Sequence, residues 1–374
     1  MKRTLTALAA GALVATGTAI AQTPEPPKTP TSWADKTTIK GDVRFRHESI
    51  EAEGKETRER ERVRARLGIF GKPGSDLDLG VQFSTTEKND PVSSNQTLGG
   101  SGSRKNAYLD LAFIDYHPEL VEGLHLIGGK MEQPFIKVSD LVWDNDYNPE
   151  GAVVKYKTGE SVELLLNGGL FWLEEREADD ETTMAGGQVA VKFNTENASY
   201  VQAGVGLFSY DNIEGGALLF DPAKSKGNST DKVVDGDVTN SVYANGFTTP
   251  EVFAEAFFNT AVPVTLYGSY IVNDDADDED TGYIAGFRVG KAKAQGSWEL
   301  DYNWRHLEAN AVVGAFADSD SFGGGTDGEG HRISGSYQIS KTLKSTVTYF
   351  MNEAKISKDG EDYDRLQVDF SAKF

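Results

Sequence analysis

Arg44, Arg46, Arg60, Arg62, Arg64 and Arg66 stand at alternate positions in two nearby stretches of the chain. A guanidinium stays charged at any ordinary pH and offers a planar fork of donors to a carboxylate or phosphate. In an extended chain alternate side chains share a face. The spacing therefore predicts a row of cations along one side of each of two strands. Such a row can order water and steer anions. It can equally be neutralised in place by Asp42, Glu48, Glu59 and Glu61, which are interleaved with it. Arg288, Arg332 and Arg365 fall on the same polar face of later stretches and extend the row.

The opposite charge is concentrated in one segment, where Asp140, Asp144, Asp146 and Glu150 surround Trp143 and Tyr147. Carboxylates held across from guanidiniums would set a transverse field that favours small polar solutes. Asp144-x-Asp146-x-Asn148 also begins like a calcium loop, but Pro149 follows where an EF-hand needs Gly, so no metal is expected there. Asp274 to Asp280 holds six acids in seven positions and reads as a solvated loop tip. The chain has no G-x-S-x-G elbow, P-loop or H-E-x-x-H, its five histidines are scattered, and it has no cysteine. Neither an enzyme nor a cofactor is expected.

The elements that must position these residues are β-strands. Strict alternation is clearest where Val63, Ala65, Leu67 and Ile69 interleave with Arg62, Arg64, Arg66 and Gly68, and where Trp298, Leu300, Tyr302 and Trp304 face away from Glu299, Asp301, Asn303 and Arg305. Sixteen such segments run from 38–49 through 60–71 to 330–340 and 363–374. Most are near the length of a tilted membrane-spanning strand, about 9–11 residues. The connections alternate between short turns and longer loops at 50–59, 87–105, 132–149, 174–184, 211–249, 274–280, 308–329 and 355–362. This predicts a sixteen-stranded antiparallel transmembrane β-barrel over 38–374, with short periplasmic turns and long external loops. The polar face becomes a water-filled lumen, and the charge-rich alternation argues against a plugged or apolar one. The Gly- and Asp-rich stretches 211–249 and 314–330 read as mobile loops shielding the mouth.

Composition agrees. Lys2 and Arg3 precede an apolar run from Leu5 to Ile20, and Ala19-Ile-Ala21 is an A-x-A pattern, so residues 1–21 read as a signal peptide. Residues 22–37 read as a Pro- and Thr-rich periplasmic tail. Mean hydropathy is −0.44, and charges interrupt every later apolar run. An exported chain without a spanning helix is either free in its compartment or a barrel. Loss of Lys2 and Arg3 leaves 58 acids against 35 bases, a net charge of −23. That excludes the basic footprint of a nucleic-acid partner.

Leu366, Val368, Phe370, Ala372 and Phe374 alternate with polar residues to the last position. With that strand, the segment Gly128-Gly-Lys-Met-Glu-Gln-Pro-Phe135 and the segment Leu141 to Gly151, the chain resembles the Gram-negative outer-membrane porins, above all the group of putative porins. The resemblance implies a passive diffusion channel for small hydrophilic solutes and ions, located in the outer membrane. It implies a homotrimer among lipid and lipopolysaccharide. It implies a third external loop folded inward, here 132–149, and a terminal Phe374 read by the barrel-assembly machinery. An anion- or phosphate-selective channel remains an alternative, favoured by the arginines and opposed by the net acidity. A non-conducting barrel, an adhesin or a rim enzyme, is the other.

Overall fold

The computed structural model describes residues 33–177, 180–236 and 238–374. The signal peptide and most of the tail lie outside them. Trp33–Lys36 forms a single 3-10 turn that leads into the first strand.

Sixteen long strands make one closed sheet: β1 (Thr37–Ala52), β2 (Arg58–Gly71), β3 (Leu77–Thr85), β4 (Ala107–Tyr116), β5 (Leu124–Lys130), β6 (Glu150–Thr158), β7 (Val162–Glu174), β8 (Thr182–Asn194), β9 (Tyr200–Asp211), β10 (Phe247–Phe258), β11 (Val264–Val272), β12 (Thr281–Gly290), β13 (Trp298–Leu307), β14 (Gly328–Gln338), β15 (Leu343–Ala354) and β16 (Glu361–Lys373). Each pairs antiparallel with the next, and β16 pairs back onto β1 from Asp42↔Lys373 to Ala52↔Tyr363. Closure removes the free edges that an open sheet would expose. Phe374 completes the seam: its amide donates to the Gly41 carbonyl, and its ring covers Gly41, where a Cβ would lie 2.5 Å from the ring.

The outward face is apolar. Val43, Phe45, Leu67, Ile69, Val81, Phe83, Val205 and Leu207 are all exposed, and Leu170 reaches 64%. An exposed apolar band around a closed barrel is what a bilayer requires and water penalises. No helix among the described residues is long and apolar enough to cross a membrane.

One rim carries short turns and the other the loops, but the contrast is narrower than the sequence pattern suggests. β1 and β2 extend toward each other, so their connection shrinks to 53–57. The asymmetry is carried by 86–106, 131–149, 212–246 and 308–327. The third loop, 131–149, folds into the lumen. The stretches expected as mobile shields also turn inward. Residues 309–317 are buried almost throughout, and 212–246, which contains the hairpin Thr230–Asp235/Val238–Tyr243, packs Leu218, Leu219 and Tyr243 against them. The loops interlock through polar contacts. Asn228 Nδ2 donates to the carbonyls of Ala309 at 2.7 Å and Val312 at 2.8 Å, and its Oδ1 accepts from the Gly314 amide at 2.8 Å. The Asp144 amide donates to the Phe316 carbonyl at 2.8 Å.

The inner wall has two halves. From β6 to β11 it presents Val153, Phe171, Met184, Ala190, Phe208, Phe253 and Ile271, all buried under the loops. This corrects the expectation of a uniformly polar lumen. On those strands the apolar residues share the inner face with buried Asn167, Gln188, Thr249, Glu251 and Ser269, so the face carries no uniform signal in the sequence. Phe135 of the third loop packs edge-on to Phe208 at 4.9 Å and against Phe171 at 5.6 Å, and Trp143 meets Phe208 at 5.2 Å. Gly186 permits this contact, because a Cβ there would lie 2.6 Å from the Phe135 ring. The charged half is built by β1, β2 and β12 to β16.

Candidate functional site

Strand pairing sets the charged half. Arg44↔Arg64 and Arg46↔Arg62 are cross-strand neighbours on β1 and β2, and Arg46↔Asp369 joins β1 to β16. Like charges directly opposite each other are destabilising, so this wall persists only because acids are interleaved with it. Three groups of ion pairs result.

The first centres on Glu48, whose side chain is fully buried at 0% exposure. Its carboxylate takes Arg60 at 2.5 Å, Arg365 at 2.6 Å, Arg46 at 3.4 Å and Arg62 at 3.5 Å. Asp369 grips Arg46 with both oxygens at 2.7 and 2.8 Å. Asp320, from the loop 308–327, adds contacts to Arg365 at 2.8 Å and Arg46 at 3.3 Å.

The second joins Asp42 and Asp146 to Arg64 and Arg66. Asp42 lies 2.7 Å from Arg64 and 3.1 Å from Arg66, and Asp146 lies 3.5 Å from each. The Ser94 hydroxyl donates to Asp146 at 2.5 Å, which brings the loop 86–106 to the same place. Burial alone would raise the Asp146 pKa, and the Arg64 and Arg66 guanidiniums override it to hold the carboxyl at about 2.

The third centres on Asp140. Its two oxygens take Arg305 and Arg332, each at 2.6 Å. Asp318 takes Arg305 at 2.9 Å, and Asp301 takes Arg288 at 3.0 Å and Arg332 at 3.2 Å.

The third loop thus crosses the lumen between two ion-pair groups, with Asp140 on β13 and β14 and Asp146 on β2. Asp144, midway, meets no guanidinium among the described residues. Its carboxylate accepts the amides of Asp146 at 2.7 Å and Ser319 at 2.8 Å, fastening the third loop to 308–327. Burial and the nearby Asp146 and Asp318 charges push its pKa well above the usual carboxylate range. Glu150 stands apart at the start of β6, with its side chain 60% exposed, and pairs with Lys130 at 3.2 Å. The three residues of the calcium-like run point to different partners, since the Asn148 amide donates to Asp110 at 2.8 Å.

Of the acids expected to neutralise the arginines, Asp42 and Glu48 do so. Glu59 and Glu61 do not, because strand parity turns them outward, where Glu61 pairs with His47 at 2.7 Å. Sequence reasoning singled out neither Arg305, which is 2% exposed, nor Asp301, Asp318 and Asp320 as members of the site. The signal for the loop acids was available: Ala309-Asn-Ala-Val-Val-Gly-Ala-Phe-Ala317 is too apolar for a solvated loop. Between the groups remains a polar cavity of about 550 Å³, lined among others by Arg44, Arg64, Asp146, Asp320, Arg332 and Lys344.

The barrel matches solved structures over most of its length. It resembles Pseudomonas putida OprB in its high-pH structure, with a TM-score of 0.61, 10% identity, and coverage of 91% of this chain and 95% of that one. It resembles Salmonella typhi OmpF in its complex with daunomycin, with a TM-score of 0.55, 11% identity, and coverage of 90% and 97%. At such identities the likeness establishes the fold alone. No curated protein matches the sequence. The family described as "Putative porin" matches residues 51–245 and 230–374, and together with the sixteen-stranded barrel this places the chain in that family of outer-membrane porins.

Proposed function

We propose that this chain is a passive diffusion channel for small hydrophilic solutes and ions. The observation that carries the reading is the polar cavity of about 550 Å³ left between the inward loops and the charged half of the wall. Arg44, Arg46, Arg60, Arg62, Arg64, Arg66, Arg288, Arg332 and Arg365 form the basic wall of the constriction, with Asp140 and Asp146 of the third loop paired onto it and Asp144 between them. Charges fixed along a narrow wet passage orient the water in it, so an apolar solute must displace that water without replacing its hydrogen bonds. Size is set by the loops 131–149 and 308–327 together. Fold and family point to a channel rather than an enzyme. The chain reaches the outer membrane through the signal peptide 1–21, with Phe374 as the assembly signal, and works as a homotrimer in contact with lipopolysaccharide.

A second reading, a non-conducting barrel, is favoured by the apolar half-wall and its three covering loops. Single-channel recording in a planar bilayer under a salt gradient separates the two. Stable ohmic steps are expected, grouped in threes for a trimer. A folded, heat-modifiable barrel that never conducts overturns the channel.

A further inference from the structure

We propose an oxyanion-binding subsite in the lumen, formed by Arg44 on β1 and Lys344 on β15 on either side of Ser371 on β16, which takes the carboxylate or phosphate group of a small solute. The inference rests on the channel reading and specifies its solute class.

Register places the three residues together. Arg44↔Ser371 and Lys344↔Ser371 are paired positions, so all three lie in one row across adjacent strands. Arg64 extends that row on β2. Strands stand about 4.8 Å apart, which puts the Arg44 and Lys344 backbones about 10 Å apart. Arginine and lysine side chains are long enough to reach an anion held between two such backbones, and Ser371 shares their inward-facing parity. Arg44 and Lys344 both line the cavity.

Charge accounting distinguishes this row from the rest of the wall. Arg46, Arg60, Arg62, Arg64, Arg66, Arg288, Arg305, Arg332 and Arg365 each have a carboxylate within ion-pair distance. Arg44 has none among the described residues. Its Nη2 donates to the Asn95 side-chain oxygen at 2.7 Å, and its Nε is buried without a partner. The nearest acids are committed elsewhere, Asp42 and Asp146 to Arg64 and Arg66, and Asp369 to Arg46. Lys344 likewise has no ion pair among the described residues. Two cavity carboxylates have no ion pair among the described residues: Asp144, whose oxygens accept the Asp146 and Ser319 amides, and Glu299, which lies two strands from Lys344, opposite Ser336 in a different row. A guanidinium supplies a fork, an ammonium a point charge and a serine one more donor. That set matches one oxyanion, and charge-assisted bonds of this kind are the strong ones.

The test uses the full-length barrel, reconstituted in planar bilayers with chloride as carrier. Succinate and inorganic phosphate are the probes, and glucose at equal concentration is the neutral control. Succinate and phosphate are expected to block the current in a saturable way while glucose does not. If only one of the two blocks, the subsite is assigned to that group. In R44Q/K344Q the half-blocking concentration should rise by about tenfold or more, measured against the variant's own unblocked current. Heat-modifiable mobility confirms that the variant is folded, and K344Q alone, at a less buried position, should show part of the shift. Equal block in parent and R44Q/K344Q overturns the subsite while leaving the channel standing. Calorimetric titration of the detergent-solubilised barrel with succinate provides the converse control. A barrel that binds succinate through these residues but does not conduct keeps the subsite and overturns the channel, and one showing neither block nor binding overturns the subsite.

Discussion

The two halves of the inner wall hold the same loops by different means. Under β6 to β11, Phe135 and Trp143 sit in an apolar layer with Phe171 and Phe208, and their position follows from shape and burial. Along β1, β2 and β13 to β16, the same loop and its neighbour are held by Asp140, Asp146, Asp318 and Asp320 on arginines. The apolar contacts are short-range and insensitive to salt. The ionic contacts fix register and leave a polar cavity beside them. One half acts as foundation, the other borders the cavity proposed as the passage, and the loops are the shared element.

Four substitutions would break or sharpen that contrast. The largest effect is expected for Glu48→Ala, which leaves four guanidiniums without their shared buried carboxylate. Breaking a buried pair from one side costs about 3–5 kcal/mol, and the urea midpoint of the barrel should fall accordingly. An unchanged midpoint would mean that water already screens this group. Next, Phe135→Ala on the apolar side should cost about 3 kcal/mol and loosen the loop, read as higher conductance and a shifted emission of the Trp fluorescence. If conductance stays constant, the ionic half alone holds the loop.

Asp144→Asn tests the joint between the halves. Its carboxyl titrates well above the ordinary aspartate value of 3.8 in the folded chain. As pH falls through that raised value toward 3.8, the native state takes up a proton that the unfolded state does not, so native stability gains. The parent should therefore show this increment on acidification and Asp144→Asn should lack it. A parallel pH profile in both proteins would remove Asp144 from the joint. The smallest effect is expected for Glu150→Ala. Its exposed pair with Lys130 is worth about 0–1 kcal/mol, so stability and reversal potential should both stay within error. A shift in selectivity would return Glu150 to the passage.

Most of the barrel was legible in the sequence because a strand that is polar on one side and apolar on the other writes its geometry as period two. The arginines of β1 and β2 were placed by that rule, and the third loop by its position after the fifth strand. What escaped notice lay where the rule gives no signal. Phe171, Met184 and Phe208 face inward but are apolar, so their parity alone did not mark them as a binding wall. Arg305 alternated correctly, yet nothing local indicated that Asp140, 165 residues earlier, would meet it at 2.6 Å. The acids at 318 and 320 sat in a Gly- and Asp-rich stretch whose composition suggested solvent. Their burial is decided by the apolar run before them, a tertiary effect that spacing does not encode.

The seam between β1 and β16 has a consequence for assembly. Arg46 meets Asp369 across 323 residues, and Arg365 meets Glu48 across 317. Contacts of such high contact order form late, because the intervening loop entropy must be overcome first. Until the final strand arrives, Arg46 lacks its two-oxygen contact with Asp369 and the buried Glu48 lacks Arg365, beside an unpaired edge. A chain truncated before β16 would therefore present itself to proteases and chaperones as unfinished, whatever the state of its other hairpins. Completeness of synthesis is thus read out electrostatically at a single join.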